Sequence, residues 1–300
     1  MGCFRDTHEP LILSTTVLEV DIVPYRVLMY TKGIASGHLT RVNAVHKGFV
    51  RAGYDVEFFV VAPRSKYLDH LNSGIRVMSL DALPPPVDIL ICDWKADDFV
   101  ESLPASYSTA WIGLRRLGKI KSTFHKRFHI VAVEPTVSGD ACIWPILLTW
   151  QDELRPRDEL LRLVGAAEGD RVALLCENGA YAKHPPIVLD HRIDTGGFKH
   201  VRCSNSPHVA GNRDLDYYPI AQFFAAADHV VVGAGYNSVH EALCYVPPSK
   251  LTVLLVGGDD QERRMCRLEE WRQECPGDSQ AGTLARYIIE HFIALGGTPQ

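Results

Sequence analysis

From residue 26 onward the apolar positions of the chain switch repeatedly between two periods. Val27 to Tyr30 is a short apolar run and Thr31 to Gly37 carries glycines. Leu39, Val42, Val45 and Phe49 then recur at helical spacing until Gly53. A strand, a glycine loop and a helix are predicted. Val56 to Ala62 is an apolar run broken only by Glu57 and ended by Pro63, and Val87 to Cys92 is another, broken only by Asp88 and ended by Asp93. Alternation disappears in this way when helices cover both faces of a parallel sheet. Ile75 to Leu80, Ala110 to Leu114 and Ile130 to Val133 read as further strands.

The pattern breaks between Trp144 and Asp170, a charged stretch with Pro145 and Pro156 and a helix-like run from Asp158 to Val164. It then restarts. Strands are predicted at Arg171 to Cys176, Ile187 to Leu189, Phe198 to Cys203, His229 to Val232 and Leu251 to Val256. Helices are predicted at Ile220 to Ala227, Asn237 to Tyr245, from about Asp260, and at Leu284 to Leu295. The fold class is therefore α/β, with two doubly wound, Rossmann-like domains facing across a cleft. The boundaries that follow are an extension over 1–25, a first domain over 26–150 and a second over 151–300, with a hinge near Trp144 to Arg157.

Composition narrows the partners. At 300 residues, 46% hydrophobic and 22% charged, the chain is a folded one of about two domains. A net charge of -5 offers no basic footprint, so no nucleic-acid partner is expected. There is no uncharged apolar stretch long enough to span a bilayer, which leaves a soluble chain or one in peripheral contact with a membrane. Leu11 to Val23 contains Glu19 and Asp21 and lacks the marks of a signal peptide. The eight cysteines form no C-x-x-C pair, so reduced thiols in a cytoplasmic protein are expected.

Two glycine turns carry the candidate chemistry, one in each half. The first reads Gly33-Ile34-Ala35-Ser36-Gly37-His38-Leu39-Thr40-Arg41, and the second reads Gly233-Ala234-Gly235-Tyr236-Asn237-Ser238-Val239-His240-Glu241. Each follows a strand and opens a helix, where unpaired N–H groups and the helix dipole attract anions. Gly233-x-Gly235 is also the start of a dinucleotide fingerprint whose third glycine position holds Ser238. Glycines that let a helix pack tightly on a strand are the bland alternative for either turn alone.

The strand, Gly-x-Gly-His-x-x-Arg loop and helix of Val27 to Ala62, followed by the segment Ala226 to Leu243, resemble nucleotide-sugar enzymes of the glycosyltransferase-B fold. Within them the likeness is to the inverting family that includes the lipid II-forming N-acetylglucosaminyltransferase. The resemblance covers roughly residues 26–295. It implies that Gly235, Asn237 and Ser238 contact a diphosphate, that Glu241 holds the ribose, and that Gln261 in Asp259-Asp260-Gln261 contacts sugar hydroxyls. Tyr218 and Ile220 lie near where relatives form the nucleobase pocket. On the acceptor side it implies His38 as the base, with Gly37 and Arg41 in its loop. Helix capping by Asn237 or Ser238, and dipole complementation by Glu241, are the structural readings of the same residues. The helix N-terminus should keep His38 neutral. Cys176-Glu177-Asn178-Gly179-Ala180 stands where many relatives carry a Gly-Gly-Ser-type loop. Asp214-Leu215-Asp216 resembles a cation-binding triplet of another fold and is set aside.

The expected activity is metal-independent, inverting transfer of a sugar from a nucleoside diphosphate sugar, by preference a UDP-sugar, to a hydroxyl acceptor, with no resident cofactor. The compact first half keeps a nucleotide-sugar hydrolase of the pseudaminic acid pathway type as the alternative, with water as acceptor. A non-catalytic nucleotide-binding relative and a nicotinamide-dependent oxidoreductase, with Asp259 as ribose ligand, are the remaining rivals.

Overall fold

A computed structural model describes residues 23–31, 36–62, 68–93, 98–115, 126–177, 197–204, 214–255 and 259–299. Predicted features at Gly33 to Ala35, at Asn178 to Ala180 and at Ile187 to Leu189 lie outside these residues. The first half contains β1 (Tyr25–Thr31), α1 (Ser36–Arg51), β2 (Val56–Val61), β3 (Ile75–Met78), β4 (Val87–Asp93), α2 (Asp98–Ser102), β5 (Ser108–Arg115), β6 (His129–Ala132) and β7 (Ala141–Cys142). Its strands form one parallel sheet in the order β3-β2-β1-β4-β5-β6-β7.

The loss of alternation in these apolar runs is explained by two cores on the two faces of this sheet. Val27, Met29, Phe58, Val60, Ile89 and Ile91 point to one face, where they meet Leu39, Val42, Val45 and Phe49 of α1. Leu28, Tyr30, Phe59, Val61, Leu90 and Cys92 point to the other, with Val100, Trp111 and Phe128. Successive strand residues thus serve opposite cores, and the polar residues within these runs sit near their first ends, Glu57 in β2 and Asp88 in β4, where Asp88 accepts from the Arg26 N–H.

After α3 (Arg157–Val164), the second half contains β8 (Arg171–Glu177), β9 (Phe198–Ser204), β10 (His229–Gly233), α4 (Tyr236–Tyr245), β11 (Leu251–Leu254), α5 (Asp259–Met265) and α6 (Leu268–Glu274). Its parallel sheet has the order β11-β10-β8-β9. Where a helix was predicted from Ile220 to Ala227, the chain forms a 3-10 turn over Ile220–Phe223. Ile220, Ala221, Phe223 and Phe224 are fully buried in the core of the second half, while the half-buried Gln222 accepts from the Tyr217 hydroxyl and, at its carbonyl, from the Arg155 N–H.

The final described helix, α7 (Ala281–Ala294), crosses back onto the first half. Ala281, Leu284, Ala285, Ile288, Ile289 and Phe292 belong to the core of the first half. Gly48, in the middle of α1, makes the crossing possible, because a Cβ there would lie 2.4 Å from the Ala281 carbonyl oxygen. The linker is also fastened to α1. Lys47 donates to the Leu148 carbonyl and pairs with Glu153, while Arg51 pairs with Asp152 and Glu153 and lies over Trp150 at 4.6 Å. No described helix is long and apolar enough to cross a membrane.

Candidate functional site

The strand order of the first sheet reverses between β1 and β4, and such a reversal opens a crevice at the carboxyl ends of the two strands. Thr31 and Asp93 are the last registered pair there. α1 begins beside them, and its three-residue spacing puts His38 and Arg41 on one face. Both reach Asp93. His38 Nδ1 lies 2.7 Å from Asp93 Oδ2 and 3.1 Å from Thr31 Oγ1. Arg41 grips the same carboxylate with two donors, Nε to Oδ1 at 2.9 Å and Nη2 to Oδ2 at 3.2 Å.

All three side chains are buried, and Arg41 and Asp93 almost completely. Burial opposes the charge on Arg41, but Asp93 outweighs it and holds the guanidinium above its ordinary value. Because Arg41 donates to both carboxylate oxygens, Asp93 acts as an acceptor toward the imidazole. That assignment puts the ring proton of neutral His38 on Nδ1 and the lone pair on Nε2.

In the second half, β10 ends at Gly233, the Ala234 N–H donates to the Leu254 carbonyl of β11, and Gly235 caps α4. The start of α4 meets the first half directly. Asn237 donates from Nδ2 to the Gly37 carbonyl at 3.0 Å and accepts from Arg41 Nη1 at 3.4 Å. Tyr236 lies under the Arg41 guanidinium at 4.8 Å and donates its hydroxyl to the Val133 carbonyl.

A second buried carboxylate lies beside this contact. Glu134, just beyond β6, accepts from Arg264 Nε of α5 at 2.6 Å and pairs with His240 Nε2 of α4 at 3.2 Å. Burial resists its ionisation, but Arg264 and His240 overcome this and hold the carboxyl down at about 2. His240 Nδ1 accepts the Trp144 indole N–H at 3.2 Å, so its ring proton is on Nε2 and points at Glu134. Burial pushes the His240 ring down despite that carboxylate, consistent with a neutral imidazole bonded through both nitrogens. Arg264 also reaches the Ala234 carbonyl in the second glycine turn.

The structure thus brings together Gly37, His38, Arg41, Gly235 and Asn237. Ser238 is buried in the first turn of α4, and Gln261 is buried on α5 one turn before Arg264. Glu241 faces the linker, accepting from the Thr149 N–H at 3.3 Å, and burial pushes its carboxyl up to about 7. Tyr218 bonds Thr40 of α1 at 2.9 Å, with its hydroxyl pushed up to about 12 by burial. Ile220 requires a correction as a nucleobase contact, since it is fully buried in the core of the second half, out of reach of a ligand. Asp214 of the set-aside triplet accepts from the Arg202 N–H and so trims the edge of β9.

Sequence reasoning missed Asp93, Glu134, Tyr236 and Arg264 as members of the site. A signal for the first two exists, since each is the first acidic residue after a buried apolar run, at the carboxyl end of a strand.

No protein-family model matches the sequence, and no curated protein does. Solved structures do match. UGT89C1 of Arabidopsis thaliana, in complex with UDP, aligns with a TM-score of 0.52 at 11% identity over 90% of this chain and 92% of that one. Spinosyn forosaminyltransferase SpnP aligns at 0.47 and 12% identity, covering 90% and 97%. MurG of Acinetobacter baumannii aligns at 0.43 and 10% identity, covering 91% and 99%. The chain has the two-lobed α/β fold of glycosyltransferases.

Proposed function

With that fold as premise, we propose that the protein is a nucleotide-sugar-dependent glycosyltransferase that works by a single inverting displacement without a metal. The observation that carries the reading is the His38–Asp93 pair at one strand-order reversal, lying directly against the helix start that follows the other. An anion at the start of α4 would meet the positive end of the helix dipole behind Gly235, which suits the charge developing on a departing nucleoside diphosphate. His38, protonated on Nδ1 by its bond to Asp93, offers Nε2 to the proton of an acceptor hydroxyl. Asp93 would stabilise the imidazolium that results.

Donor entry requires the two halves to part at Asn237, because its amide spans them. Glu241 would then have to leave Thr149 to reach a ribose, and Gln261 is the candidate for the sugar hydroxyls. UGT89C1 was solved with UDP, which makes UDP the first nucleotide to try.

Calorimetry of the full chain with UDP, GDP and dTDP tests the reading. Heat of binding for one of them at millimolar ligand or below is expected, and silence from all three would overturn it. The compact first half, which spans little beyond its seven-stranded sheet, favours a small acceptor. This supports water as acceptor, and hence hydrolysis, as the second reading. Release of free sugar from a UDP-sugar with no acceptor present selects it.

A further inference from the structure

We infer that Asn237 and Arg41 are positioning residues that orient the His38 imidazole from across the division between the two halves. The inference rests on the reading of His38 as the base. His38 is attached in two ways, by its backbone at the start of α1 and by its ring through Nδ1. Asn237 touches both attachments. Its Nδ2 donates at 3.0 Å to the carbonyl of Gly37, the residue immediately before His38. Its Oδ1 accepts at 3.4 Å from Arg41, whose other donors hold the two Asp93 oxygens, and Asp93 in turn lies 2.7 Å from His38 Nδ1.

The chemistry of the amide suits this place. A carbonyl needs a donor and a guanidinium needs an acceptor, and a primary amide presents both in one plane. A carboxylate would keep the second bond and lose the first, and alanine would lose both. Arg41 is fully buried between Asp93 and the Tyr236 ring, so it has little room to follow Asp93 independently of α4. When α4 is docked, backbone and ring of His38 are both held. When it is withdrawn, Gly37 and Arg41 each lose a partner, and the imidazole loses a restraint at both ends. The base is therefore in register only while the second half is seated on the first, which confines proton abstraction to the assembled state.

The test uses the full chain labelled with 15N-histidine and no ligand, observed by long-range proton–nitrogen NMR, with the His38→Gln spectrum assigning the signal. The wild type is expected to show the Nδ1–H form with a proton that exchanges slowly with water. Asn237→Ala should speed that exchange by about tenfold or more and mix the two ring tautomers. Asn237→Asp, nearly isosteric and favourable at a helix start, should give an intermediate change. Tyr218→Phe breaks a different contact between the halves, the bond to Thr40, and should leave the His38 signal as in the wild type. The inference is overturned if Asn237→Ala and Asn237→Asp keep the wild-type signal, or if Tyr218→Phe moves it as far as they do. Because no nucleotide is present, these results separate from the calorimetry. Absence of UDP, GDP and dTDP binding beside a displaced His38 signal would remove the glycosyltransferase reading and leave the positioning contact standing.

Discussion

Two buried trios, each of a histidine, an arginine and a carboxylate, lie side by side, and they differ in where their members come from. His38, Arg41 and Asp93 all belong to the first half. Glu134 of the first half, by contrast, is held by His240 and Arg264 of the second. The histidines differ as well. His240 spends both nitrogens, one on Trp144 and one on Glu134, and is fully buried. His38 shows its carboxylate the protonated Nδ1, which leaves the basic lone pair on Nε2. A histidine, an arginine and a carboxylate therefore build a fastener in one place and a candidate base in the other. What separates the two is which nitrogen faces the carboxylate: Nδ1 of His38 meets Asp93, whereas Nε2 of His240 meets Glu134 while its Nδ1 accepts from Trp144.

The largest expected effect sharpens this contrast. Under the proposed reaction His38→Ala should lower turnover by about 10²- to 10⁴-fold, while the Kd for UDP stays within about threefold. His240→Gln should leave turnover within about fivefold and lower the melting temperature instead. Equal losses of turnover in both variants would erase the distinction.

Glu134→Ala strips the fastener of its carboxylate and leaves the Arg264 charge buried. A destabilisation of about 3–5 kcal/mol is expected in urea unfolding. Glu134→Gln, which keeps the acceptor, should cost less. A loss below about 1 kcal/mol in the alanine variant would show that the trio does not hold the halves together.

The two carboxylates at the junction also predict opposite pH responses. Glu134, held down at about 2, contributes stability that is present above its unfolded value near 4.5 and lost as pH falls through about 2. Glu241, pushed up to about 7, contributes stability that is full below about 4.5 and lost as pH rises through about 7. The shift corresponds to about 3 kcal/mol for the fully buried Glu241. Chemical denaturation of the wild type should show this decline across pH 4.5 to 7, and Glu241→Gln should flatten it. An unchanged slope in that variant would assign the decline to another group.

The smallest effect concerns the contact outside both trios. Tyr218→Phe removes the bond to Thr40 and should cost about 1 kcal/mol, read from the same denaturation curves.

Much of the framework is legible in the sequence because its causes are local. The runs Val56 to Ala62 and Val87 to Cys92 read as doubly covered strands from composition alone, and the spacing of Leu39, Val42, Val45 and Phe49 gives the buried face of α1. The two glycine turns mark strand-to-helix corners, and the helix starts that follow them meet at Gly37 and Asn237. The partners of the site are less legible. His38 and Asp93 are 55 residues apart, and Arg264 and Glu134 are 130 apart, so no local period connects them. Arg264 reads as an exposed helix position until α5 is laid against the second turn. The segment after Pro219 looks helical by composition, yet the chain winds there as a 3-10 turn whose Gln222 bonds to Arg155 and Tyr217. Likewise α7 has an ordinary amphipathic pattern that says nothing about which sheet receives it.

The return of α7 also affects how the protein is made. Its apolar face completes the core of α1 and the first sheet, with Ala281 lodged against Gly48. Topologically the second half is an insertion into the first. On the ribosome, the earliest strands to emerge must wait, with one face incompletely covered, until every strand of the later lobe has been translated, a long-range closure that slows folding and leaves the nascent intermediate in need of protection.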